Sequence, residues 1–434
     1  MSKKNQQSEL SPREQKKLLK KKRKRRKIIL LVVEVIVLLI VLGMLYVWQA
    51  LNKIEKDTPS AADGTQQDVS NNENELNDET VEIMRGYEDV ALFGVDNYFN
   101  GHADSGNSDV IMIASINNDT KQVKLVSVYR DTFLDTDINT DSSPNFHKAN
   151  RAFAIGGAAQ SCSMLNASLD LDIQHYITVD FKVVTDVVNM LGGVDIDVDA
   201  AELKYINHHI DTTARATGDT PVHLTTTGLQ TLNGTQATAY ARIRSTAGSD
   251  FKRAERQREV INEVVKKAKK TDLGTINKII NQVFPEISTN YTNMDILRLA
   301  SSMFSYELVD STGFPFSKYP ARLGGSKGDV VICADLENNV RALHRYLYDD
   351  SQYVPSTTVT NYSDLLITNY GITIDHGDDP EAVQGGVITG DSFDEPAETV
   401  TDTTTTQEQM NKTDKMDTRG QLPSGNSGFT GKWN

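Results

Sequence analysis

The feature that most constrains this chain is an apolar run of 21 residues, Ile28 to Trp48, broken by a single charge, Glu34. At ~1.5 Å per residue a helix of that length spans about 31 Å, enough to cross a bilayer core. A strongly basic head precedes it: residues 1–27 hold 13 Lys/Arg against two acids, Glu9 and Glu14. Positive flanks stay on the cytoplasmic side, so everything beyond about residue 50 is expected outside the cell membrane. The run closes on Leu45-Tyr46-Val47-Trp48, an interfacial aromatic anchor. A cleavable signal peptide would have a shorter apolar stretch and small residues at its end. The reading is an uncleaved single-pass anchor whose basic head also contacts anionic membrane lipid.

Charge then narrows the partners. The whole chain carries −14 and the head +11, which leaves −25 on the remainder. An acidic body argues against nucleic acid as its ligand. The two cysteines, Cys162 and Cys333, fall on the outer side, where disulfides persist. A bridge between them is expected, with two buried thiols as the alternative. No zinc-type Cys spacing is present. His208 and His209 are adjacent, would point apart on a strand, and read as surface residues.

Composition divides the outer part. Residues 49–86 are polar and read as an extracellular stalk. Residues 87–350 alternate strand and helix patterns and read as one catalytic domain. Residues 351–379 are a C-terminal extension, and 380–434 an acidic, Thr-rich tail without a core. Asp89–Phe93, Val110–Ile116, Val123–Val128, Tyr176–Val179 and Val194–Val198 read as strands. Asn150–Ile155, Ala158–Leu169, Phe181–Leu191, Thr235–Ala241 and Asp250–Lys270 read as helices, with Gly192-Gly193 ending the third. Further helices are expected in Asp295–Leu308 and Leu336–Leu347. This order implies an α/β fold, or α+β, with a central mixed sheet and helices on both faces.

The chain has no P-loop, no GxSxG, no HExxH and no strand-leading GxGxxG. Arginine and aspartate instead gather at strand ends and on one helix face. Arg130-Asp131 follows the third strand. Arg242 and Arg244 would share a face if Tyr240–Arg244 were extended. On the helix after them Asp250, Arg253 and Gln257 share a face, Asp250 is placed to cap, and Arg258 points away. The planar arginine fork suits phosphate, and several convergent arginines suit a pyrophosphate. Asp96 and Asp109 lie at strand ends and could hold a divalent cation whose shell phosphate completes. Taken singly, each of these arginines is as readily a solvated charge or a helix ion pair.

The segments ALFGVD (91–96), SDVIMIASIN (108–117), LVSVYRDT (125–132), KANRAF (148–153), GGV (192–194), LNGTQATAYARIR (232–244) and DFKRAERQREV (250–260) occur in that order. Together they resemble the LytR-CpsA-Psr family of cell-envelope phosphotransferases over about residues 87–350. The resemblance implies an α/β/α-like fold with an apolar pocket for a polyprenyl chain. It implies Mg²⁺-assisted transfer of a glycopolymer from a polyprenyl pyrophosphate carrier to a peptidoglycan hydroxyl. By this likeness Asp96 and Asp109 are the metal carboxylates. Arg130, Arg242, Arg244 and Arg253 grip the pyrophosphate with Gln257 beside them, and Asp250 organises the site. Two positions depart from the family pattern. Asn107 stands where many members have arginine, with Arg151 as the candidate substitute, and Tyr129 stands where many have proline. A hydrolase acting on the same carrier, or a non-catalytic protein that binds lipid-linked polymer, would use the same residues.

Overall fold

The computed structural model describes residues 55–56, 69, 74–95, 106–138, 143–244, 249–302 and 304–377. The basic head, the proposed anchor, Asp96 and the acidic tail lie outside the described residues. Among the described residues no helix is long and apolar enough to cross a membrane.

A seven-stranded mixed sheet forms the centre. Its strands are β1 (Glu55–Lys56), β2 (Tyr87–Val95), β3 (Ser108–Asn117), β4 (Gln122–Val128), β7 (His175–Asp180), β10 (Ser288–Thr289) and β11 (Glu307–Phe314). Their order is β1-β10-β7-β2-β3-β4-β11. β2, β3 and β4 make an antiparallel meander. β7 joins β2, and β11 joins β4, in parallel. The ends of β2 and β4 and the start of β3 therefore share one edge of the sheet. That edge receives Asp109 and Arg130 together.

Alternation along these strands gives the sheet two different faces. Ala91, Phe93, Val95, Ile111, Ile113, Val126 and Val128 point into one core. The helices α2 (Arg151–Leu169), α9 (Leu336–Tyr348) and α10 (Thr357–Tyr370) cover it, through residues such as Phe153, Leu165, Leu343 and Leu366. Each such side chain contributes roughly 1.5–3 kcal/mol of burial. The opposite face is mixed: Val90, Met112 and Leu125 are buried, whereas Leu92, Val110, Ala114, Ile116, Ile177 and Val179 are only half-buried.

A second, smaller core lies apart from the first. It joins the ribbon β8 (Val194–Val198) and β9 (Gly228–Leu232) to α4 (Ala200–Thr217) and α5 (Gly234–Tyr240). The helix α6 (Ser249–Ala268) adds Val260 to it. Local sequence sets these helix starts: Asp199 with Glu202, and Asn233 with Gln236, form capping boxes. The remaining elements are α1 (Asp78–Met84), α3 (Phe181–Met190), α7 (Leu273–Val283), α8 (Asn293–Ser302) and the short pairs β5 (Phe133–Asp135) with β6 (Phe146–Lys148) and β12 (Lys318–Leu323) with β13 (Gly328–Cys333).

Several expectations change. Residues 74–86, read as stalk, carry α1, and Met84 reaches the main core. Residues 351–377 supply α10, which packs on α2 and α9 as part of the domain. The helix expected through Leu308 ends at Ser302, and Glu307–Phe314 is instead the edge strand that continues β4's pairing. Cys162 and Cys333 are free thiols, not a bridge. Both are fully buried in the main core as small apolar side chains, and burial pushes both thiols far above their usual pKa. His208 and His209 sit on α4, not on a strand.

Candidate functional site

The site starts at the shared sheet edge. Arg130 follows β4, and its Nη1 donates to Asp109 Oδ1 at 2.6 Å. Its Nε lies 3.6 Å from Asp131 Oδ2. Arg244 Nη2 is 3.5 Å from the same Asp109 oxygen, and its Nε is 3.7 Å from Asp250 Oδ1. Arg253 Nη2 is 2.9 Å from that Asp250 oxygen. Three guanidiniums and the Lys148 ammonium thus share three carboxylates, Asp109, Asp131 and Asp250, leaving a local excess of positive charge.

Helix α6 brings the second half. Asp250 sits in its first turn, where a negative charge suits the helix dipole. Arg253 is one turn on and only 5% exposed. Burial, opposed by Asp250 and reinforced by Arg244 and Arg130, holds its pKa down at about 10. Arg130 moves the other way: burial lowers its pKa, but Asp131, Asp250 and Asp109 together raise it. Arg130 Nε, Arg253 Nε and Arg253 Nη1 are buried and make no hydrogen bond. A buried donor left unmade costs about 1–3 kcal/mol, and these three N–H groups have no aligned acceptor among the described residues. They border a cavity of about 10 Å³, room for about one water, with Val110, Tyr129 and Gln257.

Arg130 also borders a second cavity, of about 380 Å³, with Asn107, Asp131, His147, Lys148 and Arg151. Lys148 Nζ is 3.0 Å from Asp131 Oδ1. Burial first, then Arg151, Lys327 and Lys148, lower the pKa of His147. The basic wall therefore continues past the pair Arg130–Asp109. Arg151 begins α2 and is exposed, lining the same cavity as Asn107.

The pairing expected of Arg242 and Arg244 does not form. Tyr240–Arg244 is not extended, because α5 runs on into turns: Arg242 N donates to Ala239 O and Ile243 N to Tyr240 O. Ile243 is buried between the two arginines. Arg242 instead donates to Thr213 Oγ1 at 3.1 Å and lies 5.0 Å over the Phe181 ring. Gln257 Nε2 is 3.5 Å from Ala241 O and so ties α6 to this turn. Nearby His209 is kept neutral, its pKa down at about 4 through burial, then Arg242, His208 and Arg244.

Tyr129 has its own support. Its ring meets Phe251 edge-on at 4.6 Å. A Cβ added at Gly313 would stand 2.1 Å from the Tyr129 hydroxyl oxygen. The tyrosine therefore fills a notch that only glycine on β11 leaves, and it braces the first turn of α6. Sequence reasoning did not single out Phe251, Gly313, Lys148 or His147. Lys148 lies inside the KANRAF segment, which was the available signal. Arg258, expected to point away, is half-buried, with burial and then Tyr129, Glu255, Tyr346 and Asp310 acting on it.

The oxygens of Asp109 and Asp250 are hard donors of the kind Mg²⁺ takes. Asp250 Oδ1 is buried without an aligned hydrogen bond, although Arg253 is within ion-pair distance. Among the described residues these two carboxylates are not joined by a third His, Cys, Asp or Glu ligand, and both are ion-paired to arginine.

The profile of the LytR_cpsA_psr family matches residues 47–327, well over half of the chain. The chain belongs to this family. Among LytR_cpsA_psr relatives it is 26% identical over 317 residues to the polyisoprenyl-teichoic acid–peptidoglycan teichoic acid transferase TagV of Bacillus subtilis, covering 69% of this chain and 74% of the relative. It is 28% identical over 213 residues to TagU of Enterococcus faecalis, described with the same activity, covering 49% of this chain and 64% of that relative. In structure it resembles protein gbs0355 of Streptococcus agalactiae, with TM-score 0.52 and 23% identity over 65% of this chain and 95% of the other. That likeness shows the mixed-sheet fold.

Proposed function

We propose that this protein is a membrane-anchored transferase that moves a glycopolymer from a polyprenyl pyrophosphate carrier to a peptidoglycan hydroxyl outside the cell. The observation that carries this reading is the set of buried, unsatisfied N–H groups on Arg130 and Arg253, which match pyrophosphate oxygens. The family and the named activities of TagU and TagV point the same way.

The carrier's two ends suit two parts of the molecule. The half-buried apolar strip Leu92, Val110, Ala114, Ile116, Ile177 and Val179 offers a bed for polyprenyl. Val110 also borders the arginine cavity, so a chain on that bed would present its pyrophosphate to Arg130, Arg244 and Arg253. The basic second cavity, with Lys148 and Arg151, would take the sugar end and the incoming acceptor. Arg151 there offsets the loss of arginine at Asn107.

In the reaction the acceptor oxygen bonds to the phosphorus nearest the sugar, and the bridging P–O bond breaks to release polyprenyl phosphate. Arg130, Arg244 and Arg253 are already aimed at the oxygens that gain charge, so little reorganisation is needed. The hydroxyl proton goes to a carboxylate of the cluster. Asp109, with Asp96 and Asp250 as further oxygen donors, would hold Mg²⁺. When bound, that ion neutralises charge on the pyrophosphate. The pyrophosphate link itself supplies the driving force, so no nucleotide is required.

The test is to supply purified full-length protein with Mg²⁺, a lipid-pyrophosphate oligosaccharide and a peptidoglycan fragment. Formation of the phosphodiester-linked product supports transfer. Release of the sugar phosphate to water instead would make it a hydrolase, and tight retention without product would make it a binding protein.

A further inference from the structure

About 20 Å along β2 from the arginine edge, a separate cavity of about 690 Å³ opens beside α1. That size is ordinary for a small-molecule site. Leu76, Val81, Met84 and Tyr87 give it apolar walls, and Asp89 lies among its lining residues. Asp89 is 8% exposed. Its Oδ2 accepts the Tyr348 hydroxyl. Its Oδ1 is buried with no aligned hydrogen bond, although the Ser115 hydroxyl is near. Glu75 and Asp172, both exposed, line the same cavity.

The charges around Asp89 are one-sided. Burial first, then Asp172 and Glu88, push its pKa up to about 6 against the Ser115 and Tyr348 hydroxyls. The cation that lines the cavity, Arg85, is 72% exposed and paired with Glu82 at 2.9 Å. Arg298 is committed to Glu88. Among the described residues no group of three His, Cys, Asp or Glu gathers to hold a metal ion. The apolar walls likewise suit a carbon stem better than a hydrated ion.

We propose that this cavity binds an organic ammonium group carried on an apolar stem, with the Asp89 carboxylate as its counter-ion and Tyr87 as an aromatic wall. Glu75 and Asp172 draw the cation in from solvent. The site is independent of the phosphate cluster and does not rest on the transfer reaction.

The probe is n-hexylammonium, titrated calorimetrically into the full chain in detergent, with n-hexanol and hexanoate as neutral and anionic matches. Hexylammonium should bind and the other two should not. Asp89→Asn should weaken binding about 10- to 100-fold, the worth of a charge-assisted contact. Leu76→Trp, which narrows the cavity and leaves the acid intact, should weaken it. Between pH 7.5 and pH 5 affinity should fall about tenfold as Asp89 takes up its proton. Glu75, Glu88, Asp172, Tyr348 and Arg85 are the other charged or titratable groups facing it. The proposal is overturned if hexanol binds as well as hexylammonium, if nothing binds at about 10 mM, or if Leu76→Trp leaves affinity unchanged. The Leu76→Trp and pH results decide the matter should Asp89→Asn fail to fold.

Discussion

The two faces of the central sheet are made from the same kind of residue but are closed to different degrees. On one face Phe93, Ile111, Ile113 and Val126 are at most 1% exposed beneath three helices. On the other, Leu92, Val110, Ala114 and Ile177 remain half-buried beside the buried Val90, Met112 and Leu125. Apolar side chains left partly uncovered forgo burial energy, and this is the face proposed above to carry the polyprenyl chain. The contrast narrows at the arginine edge. There Tyr129 fills the Gly313 notch and closes the second face against α6.

Substitutions can break this contrast. The largest stability loss is expected on the closed face: Phe93→Ala should cost about 3–5 kcal/mol in denaturant melts. If Phe93→Ala and Leu92→Ala cost the same, the faces are not distinct. Next comes the notch. Gly313→Ala should cost about 1–3 kcal/mol by overpacking against Tyr129, and Tyr129→Leu should relieve most of that. A neutral Gly313→Ala would remove the brace from the account. On the open face Leu92→Trp should change stability by less than about 1.5 kcal/mol yet abolish binding of a polyprenyl pyrophosphate. Retained lipid binding would place the chain elsewhere. The smallest effect is expected from deleting residues 380–434, whose composition offers little to bury. The melting free energy should shift by no more than about 0.5 kcal/mol.

Much of the sheet was legible because alternation and strand-end glycines act locally. Strands through Phe93, Ile113 and Val126 appear within a residue or two of their expected bounds, and the break at Gly156-Gly157 falls between the two expected helices. The meeting of Arg130 with Asp109 was legible only as a shared edge. The contact of Arg253 with Asp250 was legible as helix spacing, but the arrival of Arg244 at Asp250 depends on how α6 docks, which no local pattern encodes. The extended reading of Tyr240–Arg244 failed for the same reason. Ile243 is drawn into the second core, and that burial keeps the chain turning and sends Arg242 to Thr213. Leu308 was placed in a helix because an edge strand with one exposed face carries a weak apolar signal. The cysteines follow core packing, which overrode the expectation drawn from their compartment.

The central claim is that Arg130 and its partners grip a pyrophosphate, and the transfer rate of Arg130→Ala tests it most directly. Full-length protein, Mg²⁺, lipid-pyrophosphate oligosaccharide and peptidoglycan fragment would be used at saturating donor. Lys252→Ala serves as the control, because Lys252 is exposed and, among the described residues, paired with Glu255 outside the cluster. The account predicts a loss of about 30- to 1000-fold for Arg130→Ala, equivalent to roughly 2–4 kcal/mol of transition-state stabilisation. The thermal midpoint should be unchanged, and Arg130→Lys should recover little of the rate because an ammonium lacks the forked contact. Lys252→Ala should stay within about threefold of the starting rate. An Arg130→Ala protein that folds normally and transfers at the starting rate would contradict the account.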